Sequence, residues 1–245
     1  MPAVRVWSET VMLWPFQQSS MATTNGVSGF NTIPEAISAF SRGEFIVVLD
    51  QQNRENEGDL IIAASDFTPS KCAFMVRHTS GFLCASILPS LAAQLELPQM
   101  VNHNADPNRT AYTITIDASE GVTTGISAQD RSLTCRKLAE AKVRKETFRR
   151  PGHIVPLQAR EGGVRTRAGH TEAAIEFCQL AGKAPVGVLS EIVEDGEEVE
   201  GQAERSGGFG MMRRDGCLAF AKKFGLMAVT IEDLIWYLEE VRSKE

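Results

Sequence analysis

The feature that most limits this chain is a series of short apolar runs set between polar turns and helical patterns. Phe45-Ile-Val-Val-Leu49 and Leu60-Ile-Ile-Ala-Ala64 are continuous aliphatic runs, the mark of strands buried within a sheet. Residues 82–88, 154–157, 186–189 and 227–230 read as further strands, and Tyr112-Thr-Ile-Thr-Ile116 alternates with period two. Helices are expected between them. Thr32 caps the first, Pro34 lies in its opening turn and Gly43 stops it. Others are expected over residues 69–77, 89–95, 130–144, 171–181 (closed by Gly182), 215–224 and 231–242, the last capped by Thr230. Strands and helices mix without the strict alternation of a barrel or doubly wound sheet. The expected class is therefore α+β, a single-domain mixed sheet with helices packed around it.

A chain of 245 residues is long enough to bury a substantial core. Its net charge of −6 argues against non-specific nucleic-acid binding, which needs a basic face. A few arginines in one pocket could still hold a small anion. No apolar run approaches the ~20 residues of a membrane helix, so no membrane partner is expected. Cys72, Cys84, Cys135, Cys178 and Cys217 form no CxxC pair, which argues against a zinc site. They read as free thiols in a reducing, cytoplasmic compartment.

Residues 1–29 hold Trp7, Trp14 and Phe16 but no clean apolar signal core, and they rise in Ser, Thr, Asn and Gly towards Gly29. Arg5 is their one basic residue, which argues against a mitochondrial presequence. This segment is expected to be flexible and remote from the chemistry, with residues 30–245 as the catalytic domain.

Five tracts could carry chemistry. Asp50-Gln-Gln-Asn-Arg-Glu-Asn-Glu-Gly-Asp59 follows a buried strand, where α/β proteins place ligands. Its Glu55, Glu57 and Asp59 repel one another unless a cation or arginine sits among them, and hard oxygens suit Mg²⁺. The alternative is a solvated acidic turn. Gly121-Val-Thr-Thr-Gly-Ile-Ser127 could cradle an anion before a helix, or could be a glycine turn capped by Ser127 or Asp130. In Arg149-Arg-Pro-Gly-His153, Pro151 and Gly152 are expected to fix a turn that could hold His153 rigidly for acid–base work, or whose backbone groups simply satisfy the histidine. Arg165-Thr-Arg-Ala-Gly-His-Thr171 opens a helix. Arg167, Gly169 and a capping Thr171 would suit a phosphate, and His170 could bind a metal. Glu191 ends an apolar strand, where a carboxylate can shuttle protons or simply form a strand-end salt bridge.

Arg-Glu-Asn-Glu-Gly-Asp-Leu (54–60), Gly-Val-Thr-Thr-Gly-Ile-Ser-Ala-Gln-Asp-Arg (121–131), Arg-Pro-Gly-His (150–153), Arg-Ala-Gly-His-Thr-Glu-Ala (167–173) and Val-Thr-Ile-Glu-Asp-Leu (229–234) occur in that order. Together they resemble the 3,4-dihydroxy-2-butanone 4-phosphate synthase family of riboflavin biosynthesis over residues 31–242. The resemblance implies a lyase that converts ribulose 5-phosphate into the four-carbon phosphate and formate through an enediol. It also implies a homodimer whose active sites draw on both subunits. Glu55 and His170 would hold Mg²⁺, with Mn²⁺ able to substitute. Arg54, Glu55, Asp59, Arg150, Arg167, Ala168, Gly169, His170, Thr171 and Glu191 would contact substrate. His153, Glu191, Asp59 and Glu57 would serve catalysis.

The chain carries no zinc cysteines of the GTP cyclohydrolase II domain fused to many relatives, so a monofunctional enzyme is expected. Residues 194–214 look like a surface loop longer than the compact family pattern. Cys84 falls in a segment that the resemblance places near the site, though a buried small residue is the better reading. A sugar-phosphate isomerase or aldolase, or a sensor that binds without turnover, would share much of this pocket. Formate release separates them.

Overall fold

The computed structural model describes residues 29–243, so all but the last residue of the expected flexible segment lies outside it. The elements run α1 (Ile33–Ser41), β1 (Ile46–Leu49), β2 (Gly58–Ala63), α2 (Pro69–His78), β3 (Cys84–Ile87) and α3 (Pro89–Gln94). They continue with β4 (Ile116–Ala118), α4 (Ala128–Leu138), β5 (Phe148–Gln158), α5 (His170–Leu180) and β6 (Val186–Glu191). A small hairpin, β7 (Glu197–Glu198) and β8 (Arg205–Ser206), precedes α6 (Arg214–Phe224), β9 (Met227–Thr230) and α7 (Ile231–Arg242).

The main sheet is mixed, in the order β4-β5-β3-β6-β2-β1-β9. β1 pairs parallel with β9 and β3 with β5, while the remaining neighbours run antiparallel. Both faces are covered. Val47, Leu49, Leu60, Ile62 and Val188 point towards Met75 of α2, Cys135 of α4 and Phe220 of α6. Ile46, Val48, Ile61 and Leu189 point the other way, towards Phe40 of α1, Phe177 of α5 and Leu234 of α7. Double coverage explains the unbroken apolar runs, since neither set of alternating side chains meets water.

Three expectations need correction. Residues 112–116 do not form one regular strand. Tyr112 and Thr113 make isolated bridges to Leu157 and Gln99, and a regular ladder begins at Ile116. Along β4, Ile116 pairs with Ile154, but the next residue, Asp117, pairs with Arg149. Residues 150–153 therefore form a bulge within β5 rather than a turn before a strand. Lastly, α4 ends at Leu138, well short of 144. The chain turns there because Val143 and Phe148 must reach the core, and Gln94 holds the Val143 carbonyl at 2.7 Å.

Candidate active site

The site lies where β2, β6 and the start of α5 meet. Asp59 and Glu191 are directly paired across the antiparallel β2–β6 ladder, so their side chains share one face. That face is the one covered by α5, whose first residues are His170 and Thr171. The β1–β2 loop closes over the same spot.

Asp50 organises that loop. Its buried carboxylate accepts from the Glu55 N–H at 2.9 Å, the Glu57 N–H at 2.8 Å and the Arg54 guanidinium at 2.8 Å. Arg54 also pairs with Glu55, whose other oxygen accepts from Asn108 Nδ2 at 2.6 Å. The carboxylates thus crowd together as the sequence reading required, with an arginine among them. Burial first, then the Glu191 charge, pushes the Asp59 carboxyl well above the usual range. Burial and Glu55 raise Glu57 as well.

His170 is buried, and its Nδ1 lies 3.6 Å from Asp59 Oδ1 and 3.8 Å from Glu55 Oε2. Burial above all pushes its ring down to about 4, and Arg54 and Arg167 add to the effect. The neutral ring is the form that binds metal. Asp59 Oδ1, which His170 Nδ1 faces, is buried without a hydrogen-bond partner. Such orphaned atoms are costly unless a ligand satisfies them. Among the described residues no three His, Cys, Asp or Glu side chains converge into a metal cage. Mg²⁺ takes one or two carboxylates and completes its shell from water and substrate. Glu55 and His170 therefore fit the metal-holding role.

The anion side adjoins it. Helix α5 begins at His170 with Gly169 as N-cap and no side-chain cap, so Thr171 lies inside the first turn rather than capping it. The first N–H groups of this helix are left for a ligand. Arg167 is fixed by Glu172 Oε2 at 2.7 Å, Thr110 Oγ1 at 3.1 Å and the Asn108 carbonyl at 3.2 Å. A guanidinium has about five N–H donors, so roughly two remain for an anion. Arg54, Glu55, Glu57, Asp59, Arg167, His170, Thr171 and Glu191 all line one cleft, joined by Tyr112. Ala168 and Gly169 flank it in the turn before α5.

Two predicted residues stand apart. Arg150 donates to the carbonyls of Leu95, Lys145 and Phe148 and does not line this cleft. His153 does not line it either. Its Nδ1 lies 2.8 Å from Asp117 Oδ2 and its N–H donates to Asp117 Oδ1 at 2.9 Å. The ring stays 39% exposed although Asp117 is buried. Gly125 covers the pair, with a positive φ of 101° and no room for a Cβ, which would lie 2.0 Å from Asp117 Oδ2. Its loop is not an open anion cradle. The Asp130 carboxylate already takes Thr123 N–H, Thr123 Oγ1 and Gly125 N–H, and the Thr123 hydroxyl above all holds it below its usual range. Ser127 caps the helix at 3.0 Å. The glycine-turn alternative is the correct one.

The sequence reading gave no role to Asp50, Asn108, Asp117 or Glu172. Asp50 opened the acidic tract and was the most findable. Asp117 and Asn108 act across long separations and left no local signal.

Comparison with known proteins identifies the family. The family model described as 3,4-dihydroxy-2-butanone 4-phosphate synthase matches residues 34–237. The synthase of that name from Pyricularia oryzae is 55% identical over 227 residues, covering 91% of this chain and 97% of the relative. The Saccharomyces cerevisiae synthase is 44% identical over 217 residues, covering 86% of this chain and 100% of the relative. A crystal structure of a 3,4-dihydroxy-2-butanone 4-phosphate synthase in complex with two magnesium ions superposes with a TM-score of 0.85 at 56% identity. It covers 88% of this chain and 100% of that one. With its mixed sheet, its acidic loop and its α5 cleft in place, this chain belongs to the 3,4-dihydroxy-2-butanone 4-phosphate synthase family, lyases of riboflavin biosynthesis.

Proposed function

We propose that the chain converts D-ribulose 5-phosphate into L-3,4-dihydroxybutan-2-one 4-phosphate and formate, assisted by Mg²⁺, with Mn²⁺ able to take its place. The observation that carries this reading is the orphaned Asp59 Oδ1, faced by His170 Nδ1 and the Glu55 carboxylate, beside an uncapped helix end and Arg167. A place for a cation and a place for a phosphate adjoin in one small cleft. Phosphate would take the open N–H groups of α5 and the spare donors of Arg167. Arg54 and Asp59 face the sugar.

Loss of a proton beside the carbonyl gives an enediol, and later steps return protons before formate leaves. Glu191 is placed to accept one, with its Oε2 held 3.1 Å from Ser80 Oγ. Asp59, opposite it, keeps its proton to higher pH than an ordinary carboxyl and is suited to give one back. A magnesium ion held by Glu55 and His170 would supply positive charge against the sugar oxygens as the enediolate develops.

His153 enters through a second subunit in this reading. Its ring is anchored on the inside and exposed on the outside. Phe82, Met100, Val101 and Ile126 are exposed apolar residues, lying towards Tyr112 of the cleft or beside Gly125. Met100 bonds the Tyr112 backbone, Phe82 packs 6.4 Å from the Tyr112 ring, and Ile126 follows Gly125. Exposed apolar groups gathered this way mark an interaction surface. A homodimer with His153 of one subunit completing the cleft of the other accounts for them. The five cysteines are free and buried, in keeping with a reducing cytoplasm. No helix of the described residues is long and apolar enough to cross a membrane.

The test is formate release from ribulose 5-phosphate with Mg²⁺ and then with EDTA. Magnesium-dependent formate, lost in a folded Glu191→Gln protein, supports the reaction. A folded protein that isomerises the sugar without formate, or binds it without turnover, overturns it.

A further inference from the structure

The acidic loop is held from inside by Asp50, but it also has an outer fastening that the chemistry above does not use. Asn56 at its tip adopts a left-handed backbone, φ 55°, which asparagine tolerates better than most residues. Around this residue the carbonyls of Glu55 and Asn56 converge on one point. Arg213 Nη1 occupies that point, donating to the Glu55 carbonyl at 2.8 Å and the Asn56 carbonyl at 2.9 Å. The same nitrogen lies 3.9 Å from Glu57 Oε1.

Arg213 is well placed to act as a fixed post. It is the N-cap residue of α6, and α6 packs on the sheet through Cys217, Phe220 and Ala221. The Cys217 thiol fills the space beside Gly58 at the base of the loop, 2.6 Å from where a Cβ would stand. On its other side Arg213 follows the long excursion that leaves β6 just after Glu191. The two legs of that excursion are pinned together by the Val193–Met211 bridge and by the Met212 N–H to Ile192 carbonyl bond at 3.0 Å. Glu191, the α6 start and the acidic loop are thereby linked, through backbone bonds on one side and the Arg213 side chain on the other.

We infer that Arg213 is a positioning residue for this site: by clasping the Glu55 and Asn56 carbonyls it fixes the loop so that the Glu55 carboxylate stays over His170. The clasp bonds backbone, so it sets where Glu55 stands without competing for its carboxylate. It adds positive charge beside Glu57 but none at the metal position. Losing it frees the loop tip and weakens divalent-cation binding, while the step that follows binding stays largely intact once the cation saturates. The cation part of this inference rests on the metal reading proposed above.

The experiment uses the full chain with Arg213→Ala and Arg213→Lys, with Glu55→Gln as reference. Hydrogen exchange of the peptide covering residues 50–59 reads the clasp itself and needs no metal. Mn²⁺ titration followed by electron paramagnetic resonance reads its effect on the site. In Arg213→Ala, exchange rises in the loop but not in β2 or α6, and the Mn²⁺ Kd rises about tenfold, the size of one lost charge-assisted bond. Formate turnover at saturating Mg²⁺ stays within a few-fold of the parent, and Arg213→Lys recovers part of both losses. Unchanged loop exchange in Arg213→Ala overturns the inference, as does an unchanged Mn²⁺ Kd when Glu55→Gln has lost binding. If the parent and Glu55→Gln bind Mn²⁺ equally, the metal reading fails instead, and loop exchange alone then decides whether Arg213 clasps the loop.

Discussion

The two halves of this site are built on opposite principles. Around β2 and α5, carboxylates crowd one another, Asp59 is pushed up, His170 is pushed down, and the buried Asp59 Oδ1 lacks a partner. Around the β4–β5 bulge, Asp117 is fully engaged by the His153 backbone and ring, and Gly125 seals the pair. The first half is unsatisfied alone and gains most from a ligand. The second is already satisfied within the chain. In the proposed reading the first half holds cation, phosphate and the Glu191–Asp59 pair while His153 adds a separate acid–base group, so damage to each should look different.

The largest effects come from single losses in either half. His153→Ala is expected to lower kcat by about 10²–10⁴-fold, the usual weight of an acid–base group, while leaving Mn²⁺ affinity near that of the parent. Glu55→Gln should lose activity on the order of 10²–10³-fold together with Mn²⁺ binding. Mixing the two inactive proteins then tells whether the halves come from different subunits. In a heterodimer with shared sites, one intact site survives, and mixtures should regain roughly a quarter of parental turnover. No recovery after subunit exchange, verified by mass, would place both halves in one chain.

A smaller effect is expected at Asp117. Asp117→Asn replaces an acceptor with a group that can donate, so the His153 ring loses its fixed orientation. Turnover should drop about 10–100-fold with Mn²⁺ binding unchanged. Nitrogen-15 spectra of His153 should show the proton moving off Nδ1, a signature that mere loosening of the strand would not give.

Acid should weaken the unsatisfied half specifically. His170 titrates near 4 when folded and near 6.5 when unfolded, so the unfolded chain holds the extra proton between those values. Stability of metal-free protein should therefore fall as pH drops through that window, and His170→Gln should flatten the slope. Asp59 works in the opposite sense, because its folded carboxyl binds protons more tightly than the unfolded one. Asp59→Asn should raise the melting temperature in EDTA at neutral pH by a few degrees, about 1 kcal/mol, while abolishing formate release. A lower melting temperature would mean that Asp59 is satisfied after all.

Much of this was legible in the sequence, and the exceptions share a cause. Apolar runs marked β1, β2, β6 and β9 because strands covered on both faces leave no polar positions. Acidic crowding at 54–59 and the Gly169 turn were legible because their chemistry is local. What failed depends on distant partners. The bulge at 150–153 exists because β4 pairs with β5 on both sides of it, which no local propensity encodes. Asp117 meets His153 across 36 positions, and Arg213 meets Glu55 across 158. The Gly121–Ser127 tract resembled an anion receptor for a good reason: it is one, but it holds the chain's own Asp130.

The buried cysteines have a practical consequence. Burial pushes the thiols of Cys72 to about 11 and those of Cys178 and Cys217 to about 12, and it drives Cys84 and Cys135 upward too. Maleimide dyes attack thiolates, so the native side chains should stay dark at neutral pH. A single new cysteine on the β7–β8 hairpin would then take a fluorophore without a cysteine-free background, and energy transfer between labelled copies could follow subunit pairing directly.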